Sequence, residues 1–299
     1  MEYPEELIKS GEIACKVRER VRDYVKVGSK VIDICEKVEA WIKELGGLPA
    51  FPCNVDVNEI AAHYTSPWND SSVIPPDSLV KVDIGVHVDG YPADTAITVC
   101  FNPELNRLVE AAETALEAGI RAIKADVKAS EVGYAIENAI RSMGLKPIRN
   151  LTGHKMARYV IHAGEIIPNV STLNGHKLRE GDVYAVEPFT TLLDAYGEVR
   201  DGPSGNIFQF QKKRAVEGRL SKEILKMVQT RYRTLPFASR WFMKEFPKSE
   251  AKEAFEELLR SKCIHAYPQL IEMKNRPVAQ AEHTLIVTKD GCEVTTAKF

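Results

Sequence analysis

The chain has 299 residues, 44% of them hydrophobic, and its 40 Lys or Arg against 42 Asp or Glu leave a formal charge of only −2. That length and apolar content suffice for a large buried core in one or two domains. No run of 18 apolar residues and no basic leader followed by an apolar segment occurs, so the chain reads as soluble and cytoplasmic rather than membrane-spanning or secreted. Phosphate loops of the form GxGxxG or GxxxxGK[ST] and a GxSxG elbow are missing, which argues against nucleotide binding and serine hydrolysis. The six cysteines, Cys15, Cys35, Cys53, Cys100, Cys263 and Cys292, are scattered without a CxxC pair. They read as small buried hydrophobes in a reducing compartment.

In chain order, residues 5–26 and 30–45 have helical periodicity, the second segment stopping at Gly46-Gly47. The segment FPCNVDVNEIAAHYT predicts a short strand and then a loop. Residues 79–88, LVKVDIGVHV, alternate with period two: Val80, Val82, Ile84, Val86 and Val88 share one face, and Lys81, Asp83, Gly85 and His87 the other. The Asp89-Gly90 turn and the run TAITV at 95–99 complete a hairpin. Pro103 opens a helix to about residue 124 with Leu105, Leu108, Ala112, Leu116 and Ile120 as its buried stripe, and a further helix spans 130–143. Strand pieces follow around Gly153 to Ile161, Gly164 to Val170 and Asp182 to Val186. After an Asp201-Gly202-Pro203 turn, residues 206–214 read as strand and 217–262 as mostly helix. Hairpin, paired helices and further strands suit an α+β sandwich.

Chemistry concentrates where charged or imidazole side chains interrupt strand-like runs. Folding the chain near Asp89 brings Asp83 and Asp94 opposite or nearly opposite each other. Two covered carboxylates at cross-strand spacing repel, so one keeps a proton or a cation sits between them. His154 in LTGHKMARYVIH, Glu187 at the end of GDVYAVEP, and Glu282 in AQAEHTLIV supply three more donors. Pro188 stops the ladder after Glu187. Period two turns His283 away from Glu282, so only Glu282 enters the centre. Carboxylate oxygens with one imidazole nitrogen suit Mn, Co, Fe or Zn. His162 reads as a neighbouring hydrogen-bond donor.

The set Asp83, Asp94, His154, Glu187 and Glu282, with GYPADTA, LTGHKMARYVIHAG, VYAVEPF and AQAEHTLIV around it, resembles the methionine aminopeptidase family of dinuclear metallopeptidases. The His63 context NEIAAHYTSP, the HAG after Ile161, and the RTLPFASRWF and AYPQL segments resemble its type 2 branch, in the compact archaeal form without a lysine-rich amino-terminal extension. The resemblance implies a pita-bread fold of antiparallel sheet halves flanked by helices, and two divalent metal ions (Co, Mn, Fe or Zn). In it Asp94 and Glu282 bridge the ions, Asp83 chelates one, and His154 and Glu187 complete the other. The resemblance further implies that a hydroxide shared by the ions attacks the bond after an initiator methionine, that Glu187 takes up its proton, that His162 and His63 contact the scissile group, that a small second residue is preferred, and that the substrate's free amine meets a metal.

A methionine pocket is expected among His63, Ile161, His162 and Tyr267, with Phe51, Pro52, Phe189 and His176 as further candidates. The resemblance divides the chain into a catalytic body, 1–214 and 265–299, and an inserted helical subdomain, 215–264. Its partners are amino-terminal methionines of peptides and nascent chains, with a monomer expected and no membrane. Between Gln211 and Lys244 lie ten Lys or Arg and two Glu. That stretch reads as a solvated helical face, with transient ribosome contact as the sharper alternative. The same five donors also occur in proline dipeptidases and aminopeptidase P, and a pita-bread binding module without chemistry is the remaining alternative.

Overall fold

The computed structural model describes residues 3–297. Helices α1 (Glu5–Tyr24) and α2 (Val31–Glu44) lead into the short strands β1 (Leu48–Pro49), β2 (Asn54–Val57) and β3 (Ile60–Ala62). The expected single strand thus becomes two, because Asn58 takes a left-handed φ of 51° and turns the chain between them. The hairpin β4 (Leu79–Val88) and β5 (Tyr91–Cys100) follows, then α3 (Asn106–Ala122) after a 3₁₀ turn at Pro103–Leu105, and α4 (Ala129–Ser142). Next come β6 (Lys146–Pro147), β7 (Thr152–Met156), β8 (Ile166–Pro168), β9 (Val183–Val186), β10 (Phe189–Thr191) and the long β11 (Val199–Phe210). The last third holds α5 (Arg219–Met227), a π turn at Val228–Tyr232, β12 (Phe237–Ala238), α6 (Ser239–Phe242), α7 (Lys248–Arg260), β13 (Ile264–Glu272), β14 (Val278–Gln280), β15 (His283–Val287) and β16 (Cys292–Val294).

Two helix pairs cover two sheet faces. Ile13, Val17 and Val21 of α1 and Ile34 and Val38 of α2 pack on Val80, Val82, Ile84 and Val86 of β4. Leu108, Ala112 and Leu116 of α3 and Val132, Ile136 and Ile140 of α4 pack on Tyr184, Val186 and Leu285. This is the α+β pita-bread architecture, antiparallel sheets flanked by helices. The alternation of β4 predicted one buried face, yet nearly the whole strand is buried, Lys81, Asp83 and His87 included. The second face is covered by the other half of the molecule: Lys81 Nζ donates to Val278 O at 2.8 Å. Polar groups sealed between the halves must find partners there.

Three boundaries differ from the sequence reading. No turn occurs at Asp201-Gly202-Pro203; β11 runs through it, and register shifts against β13 between Asp201 and Ser204 and between Ser204 and Ile207 absorb the irregularity as bulges. The strand expected at Gly164 to Val170 shrinks to β8, and the segment after Met156 folds into a tight turn closed by Ala157 N donating to Val160 O at 2.9 Å.

Between β11 and β13 the chain leaves the sheet through α5, α6 and α7, whose Ile224, Leu225, Phe242, Phe255 and Leu258 form a separate apolar cluster. Of the ten basic residues in 211–244, four are committed inside the molecule: Arg231 to Glu245, Lys244 to Glu36, Arg233 over the Tyr159 ring, and Arg240 to Glu39. Arg240 and Glu39 are both buried, and Glu39 also accepts from Trp241 Nε1 at 2.7 Å and Cys53 N at 3.2 Å. Removing one partner of such a pair strands the other charge. Arg240→Ala should therefore lower the unfolding free energy by about 3 kcal/mol in urea denaturation at pH 7. The Glu39→Gln/Arg240→Met double variant should lose clearly less, and a loss below about 1 kcal/mol for Arg240→Ala would show that the pair is effectively solvated.

Candidate metal centre

The hairpin register pairs Val88 with Tyr91, Gly85 with Asp94 and Asp83 with Ala96. Asp83 and Asp94 are therefore diagonal neighbours on one face, two residues out of direct opposition. The glutamates come from a different device. Strand β9 pairs with β15 and β10 pairs with β14, so both ribbons break at the same level. Register is continuous across the break, from Val186↔His283 to Phe189↔Gln280, which sets Glu187 opposite Glu282. Both glutamates thus lie in gaps between strands: Glu187 directly after β9, in line with the strand piece expected to end at Val186, and Glu282 between β14 and β15, where the sequence reading had put it inside one strand-like run. Pro188 lacks an amide proton, so the ladder cannot continue there. Strand β7 adds His154, paired with Ala185, two residues before Glu187.

His154 Nε2 lies 3.5 Å from Asp94 Oδ2 and 3.5 Å from Glu187 Oε1. Asp94, His154 and Glu282 offer ligand atoms all within 4.8 Å of one another. The His154 Nδ1 sits 2.8 Å from Ile161 O. Donation to that carbonyl fixes the proton on Nδ1 and leaves the Nε2 lone pair facing the carboxylates, the form a metal takes. Gln280 Nε2 donates to Glu187 Oε2 at 3.4 Å and to Glu282 Oε2 at 3.3 Å, so one amide spans both glutamates.

Burial first, and then the neighbouring carboxylates, push Asp83, Glu187 and Glu282 well above the usual carboxylate range. Burial raises Asp94 to about 7, against hydrogen bonds from Asp83 and Glu282 that hold it down. Burial lowers His154 and His63 to about 4 each, and burial with the adjacent His154 pushes His162 down as well. Near pH 7 the three imidazoles are neutral. Asp83 Oδ1 and Asp94 Oδ1 are buried without a hydrogen-bond partner among the described residues. Four crowded carboxylates, two orphaned oxygens and one imidazole lone pair fit a divalent cation of the Mn, Co, Fe or Zn class.

The centre lies at the floor of a cleft with about 510 Å³ of empty space, mouth included, whose walls include Phe51, Ala62, His63, Ile161, His162, Ile207, Pro236 and Tyr267. The five expected metal ligands and the four leading pocket candidates, His63, Ile161, His162 and Tyr267, all line this cleft. The His154 and His162 rings touch edge to face at 4.4 Å between centroids, and His63 and Tyr267 at 5.5 Å. Phe51 also lines the cleft, whereas Pro52 does not. Phe189 borders an adjoining cavity instead, and His176 is held by Tyr184 Oη at 3.0 Å, next to a different surface depression. As expected, His283 faces away, toward Arg18 Nη1 at 3.0 Å.

The profile of metallopeptidase family M24 matches residues 5–289. The chain belongs to that family. It is 46% identical over 297 residues to a methionine aminopeptidase of Thermococcus kodakarensis, covering 99% of this chain and 100% of that protein. It is 45% identical to one from Methanocaldococcus jannaschii, covering 98% of each. Among solved structures, a thermophilic Arx1 superposes with a TM-score of 0.82 at 18% identity, covering 100% of this chain and 92% of that one. A methionine aminopeptidase from Thermotoga maritima superposes with a TM-score of 0.70 at 21% identity, covering 99% and 98%. At those identities the structures speak for the fold, and the closer sequence relatives for the chemistry: the chain is a metal-dependent aminopeptidase. Among the described residues, no helix is long and apolar enough to cross a membrane.

Sequence reading missed Asn54, Ala62, Ile207, Pro236 and Gln280. Gln280 was within reach, because in the strand-like run AQAEHTLIV it stands two residues before Glu282, and period two assigns both to one face. Asn54 was not, since only the pairing of β2 with β4 sets it against Asp83.

Raised carboxylate pKa values make stability fall as pH rises. For Asp94, folded near 7 against 3.8 unfolded, the contribution is complete below about 3.8 and lost on passing 7. Metal-stripped protein should therefore melt at progressively lower temperature from pH 5 to pH 8, and Asp94→Asn should flatten that slope. A slope identical in the variant would show that Asp94 is not part of the linkage.

Proposed function

We propose that the enzyme removes the initiator methionine from nascent and finished chains in the cytoplasm, favours a small second residue, and belongs to the type 2 branch. The observation that carries this reading is one cleft in which an apolar wall of Phe51, Ile161 and Tyr267 faces the carboxylate and histidine cluster. An unbranched thioether suits that wall, and the cluster sits where the peptide bond beyond that side chain would be cleaved. The 46% identity to a methionine aminopeptidase over nearly the whole of both chains supports the same substrate.

Asp83, Asp94, His154, Glu187 and Glu282 would together hold two cations. When bound, the cations supply Lewis acidity toward the scissile carbonyl and lower the pKa of the attacking water. Glu187 is the proton acceptor, because Gln280 holds one of its oxygens and the other faces the cleft side of His154. Neutral His162 and His63 can donate to the carbonyl and to the scissile amide without adding charge, and His63 Nδ1 is buried with no protein partner among the described residues. Crowding by those two rings, with Ala62 beside them, restricts the second residue. Residues 215–264 form an inserted helical subdomain on the body made by 1–214 and 265–299, with Tyr267 at the junction.

The test is methionine release from Met-Ala-Ser by metal-stripped protein with Co, Mn, Fe or Zn restored, beside Ala-Pro and Met-Leu-Ser peptides. Release should depend on added metal, and Met-Ala-Ser should exceed Met-Leu-Ser. Glu187→Gln should reduce kcat about 10²- to 10⁴-fold. Cleavage confined to Ala-Pro would move the enzyme to an X-Pro specificity.

A further inference from the structure

Asn54 is 2% exposed on β2, where it pairs with Asp83 across the ladder, and it lines the metal cleft. Its Nδ2 donates to Asp83 Oδ2 at 3.3 Å. Beside an ionised Asp83, the form that holds a cation, that contact fixes which way the amide faces, since the reversed amide would set oxygen against carboxylate oxygen. The Asn54 Oδ1 is buried and has no hydrogen-bond partner among the described residues. An unsatisfied carbonyl in so closed a place is costly unless a ligand satisfies it.

The other acceptors on the floor, the carboxylates of Asp83, Asp94, Glu187 and Glu282, are needed to neutralise cations. A free amine that gives its lone pair to a metal still carries N–H groups, and these need an acceptor that no metal occupies. Phe51, three residues before Asn54, and Ile161 supply apolar surface in the same cleft, where the first side chain would lie. Resting on the methionine aminopeptidase reading, we propose that Asn54 Oδ1 accepts a hydrogen bond from the substrate's free α-amino group. Asn54 thereby makes the enzyme an exopeptidase at the level of binding: a chain lacking the amine leaves the carbonyl unsatisfied and binds less well. Its other half, Nδ2, keeps Asp83 in place, so a single side chain couples amine recognition to the metal centre.

The experiment compares binding of L-methionine and its desamino analogue, 4-(methylsulfanyl)butanoate, to Mn-loaded wild type and Asn54→Ala by calorimetry, with Mn content measured on both proteins. Wild type should prefer methionine, and Asn54→Ala should lose about tenfold or more in methionine affinity while the analogue is unaffected. Equal losses for both ligands, or no loss for either, would overturn the proposal, because Asn54 would then act only through Asp83 or not at all. If the variant fails to fold or to hold Mn, a crystal structure of the Mn-loaded wild type with L-methionine decides. The amine nitrogen should lie within about 3.2 Å of Oδ1, and a separation beyond hydrogen-bond range would overturn the proposal. Wild type that neither binds methionine nor releases it from Met-Ala-Ser would refute the substrate reading itself, a result separate from either outcome for Asn54.

Discussion

Mutual repulsion among four carboxylates sealed between two halves of the molecule is the constraint on which the rest of this structure depends. Asp83, Asp94 and Glu282 are each buried, and Glu187 is close to it. Left ionised and uncompensated, such a set would oppose folding by more than the marginal stability of a domain. The protein therefore needs either protons or cations at this place, and burial raises all four carboxylate pKa values, with mutual repulsion adding to it at Asp83, Glu187 and Glu282. The same electrostatics would serve hydrolysis: the charge that suits the site to a cation would let these residues hold one beside the cleft.

Position is enforced from behind. Arg18 of α1 donates to Thr95 Oγ1 at 2.6 Å, and Thr95 Oγ1 donates to Glu282 O at 2.8 Å. Thr284 Oγ1 accepts from Asp94 N at 2.7 Å. Strand β5, which bears Asp94, is thus stitched to the backbone of Glu282 and to β15 just beyond it, and the two carboxylates cannot drift apart to relieve their repulsion. Rigid backing of this kind would preorganise the candidate ligand set for a cation. On the opposite rim, Arg240 donates to Thr65 Oγ1 at 2.7 Å, and Thr65 Oγ1 donates to Cys53 O at 2.6 Å. The helical segment between β11 and β13 therefore steadies the backbone on either side of Asn54 and His63.

The hairpin of β4 and β5 was legible from alternation and one Asp-Gly turn, because both signals are local. So were the four long helices of the body, within a residue or three at their ends. Glu187 and Glu282 were picked out as candidate ligands from their motifs, but their confrontation across a double break in the sheet depends on two strand pairings far apart in sequence, which no local pattern encodes. The uninterrupted course of β11 through Asp201-Gly202-Pro203 was hidden for the same reason: its partner β13 lies beyond the inserted helices and imposes the pairing that overrides a turn signal. Burial of Lys81 and His87 was unreadable from period two alone, since alternation reports one covered face and is silent about what packs on the other.

Cation binding with its proton count tests the central claim most directly. Metal-free protein titrated with Mn at pH 7 in buffers of differing ionisation enthalpy should take up two ions per chain and release protons, because the cations displace protons held by the buried carboxylates. Binding without proton release would show that the carboxylates are already ionised in the metal-free fold, and absence of binding would contradict the account outright.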